Sequence, residues 1–258
     1  MRILKLAAVL LVISWSLVAV ADNRILGKPG PKQTNSRTYL EKFQKLTPNL
    51  ANGRVQYEVC ALCHTPEGWG SPSGRYPQIA GQYFEVIVKQ MEDIRNGNRD
   101  NPTMYPFSQF DNSRQGLQNM VDVAAYISQL PMSANNAYGP GRDLTLGERL
   151  YKDNCVKCHG KNGEGRADKY YPRIHGQHYK YLLRQLRWIK NKKRRNADLK
   201  MQRQINGFKD SDLRAIADYT SRLKPDTNLI AKDHRWRNDD FRGGFNHAQE
   251  RDRRSGRP

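Results

Sequence analysis

Cys60, Cys63 and His64 stand in the order Cys-x-x-Cys-His, and Cys155, Cys158 and His159 repeat it. Together the two motifs use all four cysteines of the 258-residue chain. Two thiols three positions apart on a helical turn can each add to one vinyl group of the same porphyrin, and the adjacent histidine then projects toward its iron. The pattern is the attachment signature of c-type heme. A CxxC pair can also form a local disulfide or a redox-active dithiol, and a Cys₄ zinc site needs only the thiols. Neither accounts for a histidine at the same place in both motifs. The expectation is two heme c groups, anchored through Cys60, Cys63, Cys155 and Cys158, with His64 and His159 on the irons.

The second face of each iron decides between an electron carrier and an enzyme that acts on oxygen or peroxide. Met104 lies 40 residues beyond His64, in Asn101-Pro102-Thr103-Met104-Tyr105-Pro106, and Met201 lies 42 beyond His159. Both stand in polar, loop-like surroundings, unlike Met91 and Met120 on apolar helix faces. A thioether there saturates the iron and raises its potential, which suits electron transfer. His175 and His178 are competing ligands for the second site, in a bis-His arrangement. A thiolate ligand is excluded, because no fifth cysteine exists. Pro77 and Pro172 each follow their heme histidine by 13 residues. Their carbonyls are candidate acceptors for the other ring N–H, the bond that orients a ligating histidine.

These groups must be positioned by a duplicated unit. The offset of 95 that relates the two motifs also carries Pro77-Gln78-Ile79-Ala80-Gly81-Gln82 onto Pro172-Arg173-Ile174-His175-Gly176-Gln177. It continues through Phe84/Tyr179, Gln90/Gln185 and Ile94/Ile189, and Tyr126–Leu130 resembles Tyr219–Leu223. Helical spacing places Tyr83, Ile87, Met91 and Ile94 on one face, and Tyr179, Leu183, Leu186 and Ile189 on another. Leu117, Met120, Ala124 and Ile127 predict a last helix in the first unit, and Leu213, Ile216, Thr220 and Leu223 one in the second. A further helix leads into each CxxCH. No run alternates as a strand does, so the fold class is all-α: two tandem domains of short helices around covalent heme. The expected division is a signal peptide at 1–21 and an N-terminal segment at 22–44. Domain 1 then spans 45–131, a linker 132–141, domain 2 142–225 and a basic extension 226–258. A unit near 90 residues has a limited apolar core, which a large flat apolar prosthetic group can supplement.

Composition limits the rest. Met1–Lys5 is basic, Leu6–Val18 is apolar and Ala19-Val20-Ala21 is a small-x-small site, the layout of a secretory signal. The expected location is periplasmic, with membrane association if the signal stays uncleaved. Nothing after residue 21 approaches the ~20 apolar residues of a membrane span. The chain carries 44 Lys+Arg against 25 Asp+Glu. Residues 22–141 carry a net +2, and residues 142–231 a net +12. Lys180, Arg184, Arg187, Lys190, Lys192, Lys193, Arg194 and Arg195 fall in a stretch without an acid. That stretch reads as a docking patch for acidic redox proteins or an anionic membrane surface. Export and two hemes argue against nucleic acid. The tail after residue 225, with Trp236, Phe241 and Phe245, lacks helix periodicity and is expected to be flexible.

The paired CxxCH motifs, the Pro-x-Ile-x-Gly-Gln segments and the Tyr-x-Ser-x-Leu endings resemble the diheme cytochrome c4 family over roughly residues 45–225. The resemblance implies two class I cytochrome c domains, His/Met ligation at both irons and hemes facing one another across a pseudo-twofold interface. It also implies electron transfer between redox partners, for example from a quinol-oxidising complex or dehydrogenase to a terminal oxidase. No side chain is expected to act as catalyst, so the chain reads as a carrier and not an enzyme. The alternatives are an electron-accepting subunit of a dehydrogenase complex, such as flavocytochrome sulfide dehydrogenase, and a diheme peroxidase or thiosulfate dehydrogenase. The long extension and the basic second unit depart from the family pattern.

Overall fold

The computed structural model describes residues 40–241. The expected signal peptide and the end of the tail lie outside these residues. Among these residues nine α-helices run in order: α1 Glu41–Gln44, α2 Leu50–His64, α3 Phe84–Arg95, α4 Arg114–Gln129, α5 Leu144–Asn154, α6 Val156–His159, α7 Tyr179–Lys190, α8 Leu199–Asn206 and α9 Asp210–Arg222. Among the described residues there is no strand, only the isolated bridges Met132–Ile230 and Arg166–Tyr171.

Each unit is built on one close helix crossing. In the first, α2 packs on α4, and a Cβ at Gly53 would stand 2.2 Å from the Asp122 carbonyl oxygen. In the second, α5 packs on α9, and a Cβ at Gly147 would stand 2.2 Å from the Ala215 oxygen. A tyrosine pair flanks each crossing, Tyr57–Tyr126 at 5.3 Å and Tyr151–Tyr219 at 5.5 Å between ring centroids. The hydroxyl of Tyr57 donates to Thr65 O and that of Tyr151 to Gly160 O, both at 2.8 Å, which tethers the chain just past each CxxCH.

Helix ends follow local chemistry. Asn49 caps α2 by accepting from the amides of Ala51 and Asn52, and Ser113 caps α4 by accepting from Gly116. The side-chain oxygen satisfies a donor that the first helical turn leaves orphaned. In the second unit the helix before the motif breaks at Cys155, so α5 and α6 replace the single α2.

The two cores differ. Unit 1 buries one continuous cluster, including Tyr57, Val88, Met120, Val121, Ala124 and Ile127, joined by Leu40 at the start of α1 and Phe43 within it. The segment before residue 45 therefore contributes to this core instead of standing apart from it. Unit 2 has two smaller clusters, Leu182, Leu183, Leu213 and Ala217 in one and Ile189, Ala197 and Ile205 in the other, with Leu186 and Phe208 packed against both.

The tail departs from the expectation of a flexible extension through residue 241. Met132 N–H donates to Leu229 O at 2.7 Å and Ala231 N–H returns to Met132 O at 2.9 Å. Beyond this bridge Trp236 lies 5.8 Å from Trp69, and Asn238 donates to Pro66 O and to the Tyr126 hydroxyl. Phe241 meets Tyr57 edge-on at 5.9 Å. The segment has no helical period because it is fixed by these long-range contacts with unit 1.

Candidate functional site

One cavity of 1710 Å³ runs between the units and receives both motifs. Cys60, Cys63 and His64 at the end of α2 line it, as do Cys155, Cys158 and His159 at the break between α5 and α6. Apolar side chains line it from both units, with Ile79, Val86, Ile87 and Met91 from unit 1 and Ile174, Leu182, Ile189 and Ile205 from unit 2.

The histidines are oriented in the same way. His64 Nδ1–H donates to Pro77 O at 2.9 Å, and His159 Nδ1–H to Pro172 O at 3.2 Å. With Nδ1 so engaged, Nε2 is the nitrogen left for a metal. Burial holds both imidazoles below the usual histidine pKa, partly offset by the proline carbonyls, so each stays neutral. Glycine makes this loop possible. Gly70 and Gly165 have φ of +69°, and a Cβ on either would meet a carbonyl oxygen of the proline loop at 2.4 Å. Their amides close back on His64 O and His159 O.

Burial also raises the thiols of Cys60 and Cys155 to about 12. That shift is opposite to the lowering that activates a redox thiol. No group of three or more His, Cys, Asp or Glu suited to a metal ion occurs among the described residues. The donor set, a thiol pair with one neutral imidazole beside an apolar cavity, fits a flat macrocycle held by thioethers and does not fit a Cys₄ ion site.

Met104 and Met201 line the same cavity. Met201, read from sequence as loop-like, lies instead in the first turn of α8, where Asp198 caps the helix through the amides of Lys200 and Met201. Its side chain packs with the Ile189–Ile205 cluster. His175 and His178 lie away from the cavity wall. His175 Nδ1–H donates to Asn162 O, while His178 Nε2–H donates to Trp69 O at 2.7 Å and Nδ1 accepts from Ala137 N–H.

The basic stretch divides in the structure. Lys180, Lys192, Lys193 and Arg195 are exposed. Arg187 is paired with Asp210 at 2.7 and 2.8 Å, and Lys190 donates to Phe208 O. Arg184 is half-buried and donates to Arg75 O. Arg194 is a correction to the docking patch: it turns inward, lines the cavity and bonds Gln185 and Gln90. Its side chain is drawn in by acceptors from both units.

Arg99 is a cavity residue that the sequence reading does not single out. The offset of 95 carries Arg99 onto Arg194, and that correspondence is the signal that marks it.

The cytochrome c family profile matches residues 50–131 and 144–224. Cytochrome c4 of Azotobacter vinelandii is 30% identical over 192 residues, covering 68% of this chain and 89% of its own. The thiosulfate dehydrogenase electron acceptor of Stutzerimonas stutzeri (strain A1501) is 28% identical over 171 residues, covering 62% and 77%. Among solved structures, reduced recombinant cytochrome c4 from Pseudomonas stutzeri superposes with a TM-score of 0.60 at 25% identity. That match covers 69% of this chain and all of the other.

Proposed function

We propose that this chain, which belongs to the cytochrome c family as a diheme, cytochrome c4-like member, is an exported carrier that shuttles electrons between a donor and an acceptor protein. Two heme c groups are attached through Cys60, Cys63, Cys155 and Cys158, and the chain is a diheme electron-transfer cytochrome. When bound, each heme supplies a one-electron iron couple. The protein's part is to bind, orient and exclude water. His64 and His159 offer Nε2 as proximal ligands, with Pro77 and Pro172 fixing the ring planes. Met104 and Met201 would supply the thioethers that complete each iron's ligand set.

One observation carries the reading: each CxxCH histidine shares the cavity with a methionine from the later part of its own unit. An iron held by both a histidine and a methionine would have no position open to peroxide or oxygen. The test is optical. Met104→Ala and Met201→Ala should each abolish about half of the far-red sulfur-to-ferric-iron absorption. Each should also open one reduced centre to carbon monoxide, while the parent protein binds little. Ready carbon monoxide binding by the parent would instead favour an enzyme.

The exposed cations Lys180, Lys192, Lys193 and Arg195 suit an acidic redox partner. Such attraction raises the encounter rate and is screened by salt. Reduction by an acidic donor should slow steeply with ionic strength, and Lys192→Glu with Lys193→Glu should flatten that dependence.

A second reading is an electron-accepting subunit of a dehydrogenase complex. It is favoured by the relative named as the electron acceptor of thiosulfate dehydrogenase. Co-purification with a larger acidic subunit through size exclusion would select it over a free carrier.

A further inference from the structure

Thr65, the residue after His64, has φ +66° and ψ 157°. That region is close to glycine-only, and a β-branched residue stays in it only where its surroundings impose it. Unit 2 has glycine at the corresponding place. Gly160, 95 positions on, has φ +79° and ψ 168°. Unit 1 therefore carries backbone strain directly beside its heme histidine, where unit 2 has a residue that adopts the conformation freely.

The contacts that impose the strain come partly from the tail. The Tyr57 hydroxyl and Gly68 N–H both donate to Thr65 O, at 2.8 and 3.0 Å, and Trp69 N–H donates to Thr65 Oγ1 at 3.3 Å. The next carbonyl, Pro66 O, accepts from Asn238 Nδ2 at 2.8 Å. Asn238 is 6% exposed, and the same amide donates to the Tyr126 hydroxyl at 2.9 Å. That hydroxyl donates on to Asp240 Oδ2 at 2.7 Å. Trp236 packs on Trp69 and Phe241 on Tyr57, so the tail grips both the loop and the tyrosine that tethers it. The loop in turn supports the histidine. Gly70 N–H donates to His64 O at 2.9 Å. A Cβ on Gly70 would stand 2.4 Å from Pro77 O, the acceptor of the His64 ring. A shift at Thr65 and Pro66 is thus passed to the group that orients the imidazole.

We propose that Asn238 is a positioning residue for the first redox centre. With Trp236 and Phe241 it straps down the loop after His64, holds Thr65 in its strained conformation and keeps water from that side of the site. Loss of the strap lets the loop relax and admits solvent beside the centre, which favours the ferric form and lowers the potential. The inference rests on heme attachment at Cys60 and Cys63 and is independent of which partners the protein serves.

The test is Asn238→Ala in the full-length holoprotein, alone and combined with Thr65→Gly. Amide exchange across 65–70, read by mass spectrometry, should quicken about tenfold in Asn238→Ala, the size of one lost buried hydrogen bond. Exchange across 160–165 should be unchanged. In spectroelectrochemical titration one potential should fall by about twofold in its reduction equilibrium, or ~18 mV at 59 mV per tenfold, while the other stays. The double variant should recover both the slow exchange and the parent potential, because glycine holds the conformation without the strap. Equal shifts of both potentials, or a double variant as disturbed as Asn238→Ala, would overturn the proposal. A lowered unfolding midpoint with exchange at 65–70 and both potentials unmoved would leave the tail a purely structural contact. Thr65→Gly alone carries the test if Asn238→Ala loses heme. Relief of strain should offset the usual cost of glycine, so the unfolding midpoint should not fall. A midpoint lowered as at an unstrained site would show that Thr65 holds no strain. Carbon monoxide exclusion tests the carrier reading separately, and neither result decides the other.

Discussion

Gln82 and Gln177, 95 positions apart, clamp the two units by the same pair of bonds in opposite directions. Gln177 Nε2 donates to Gln78 O at 2.8 Å while its Oε1 accepts from Gln78 N–H at 3.0 Å. Gln82 Nε2 donates to Arg173 O at 2.9 Å while its Oε1 accepts from Arg173 N–H at 3.0 Å. A primary amide is a donor and an acceptor side by side, so it can replace a strand neighbour for one peptide group. The seam is thereby specified by backbone geometry at two points.

Gln177→Leu should uncouple the units. The substitution leaves Gln78 N–H and O without partners at a buried site, a cost of about 1–3 kcal/mol per group. Urea denaturation of the parent should show one transition, and that of the variant two. Gln82 is less deeply buried, so Gln82→Leu should broaden the transition without splitting it. A single unshifted transition in Gln177→Leu would contradict the clamp.

Gly53→Ala and Gly147→Ala should both be destabilising, because the added carbon meets backbone at 2.2 Å and backbone cannot rotate away. Separation of the crossing helices costs about 1–3 kcal/mol or more. Thermal unfolding should begin earlier in both variants. Gly207→Ala, whose Cβ would meet nothing within 4 Å, should be neutral or stabilising.

The residues most legible in the sequence are those tied to covalent chemistry or to period. The CxxCH pairs, the offset of 95 and the apolar faces of α3, α4, α7 and α9 are local patterns, and local patterns survive without coordinates. Arg194 was not legible: a run of like charges looks the same whether one member turns inward or none does. The inward turn is decided by Gln90, more than a hundred positions earlier. The segment 226–241 was hidden for the same reason, since Asn238 finds its carbonyl partner at Pro66. Helix α8 is short and polar, so its apolar side emerges only against Ile189 and Ala197.

Acidification should loosen the seam through His178. Its ring bridges the units as the neutral Nε2–H tautomer, and protonation would place a proton on Nδ1 facing the Ala137 N–H. Burial lowers its pKa below the usual 6.5, with the Trp69 carbonyl partly offsetting. A base with a depressed folded pKa contributes stability fully above the unfolded pKa and loses it as pH falls toward the folded one. Stability should therefore fall between about pH 6.5 and the depressed folded pKa. His178→Gln keeps one donor and one acceptor and cannot titrate, so denaturant midpoints of that variant should fall less over the same range. His175, likewise lowered by burial, retains its share. Equal slopes in parent and variant would dismiss the bridge.

The second unit should depend on its heme more than the first. Its buried apolar residues form two small groups joined through the half-buried Leu186 and Phe208, whereas unit 1 has one continuous cluster reinforced by Leu40, Phe43 and Phe241. Without a flat apolar body in the cavity, these small groups have less apolar surface to pack on. Cys155→Ser with Cys158→Ser removes both thioether anchors there, and Cys60→Ser with Cys63→Ser does so in unit 1. Amide exchange read by mass spectrometry should lose protection across α7, α8 and α9 in the first double variant. In the second, α2 and α4 should keep much of theirs. Equal loss in both variants would mean that the heme stabilises the two units alike, and that the divided core of unit 2 is no weakness.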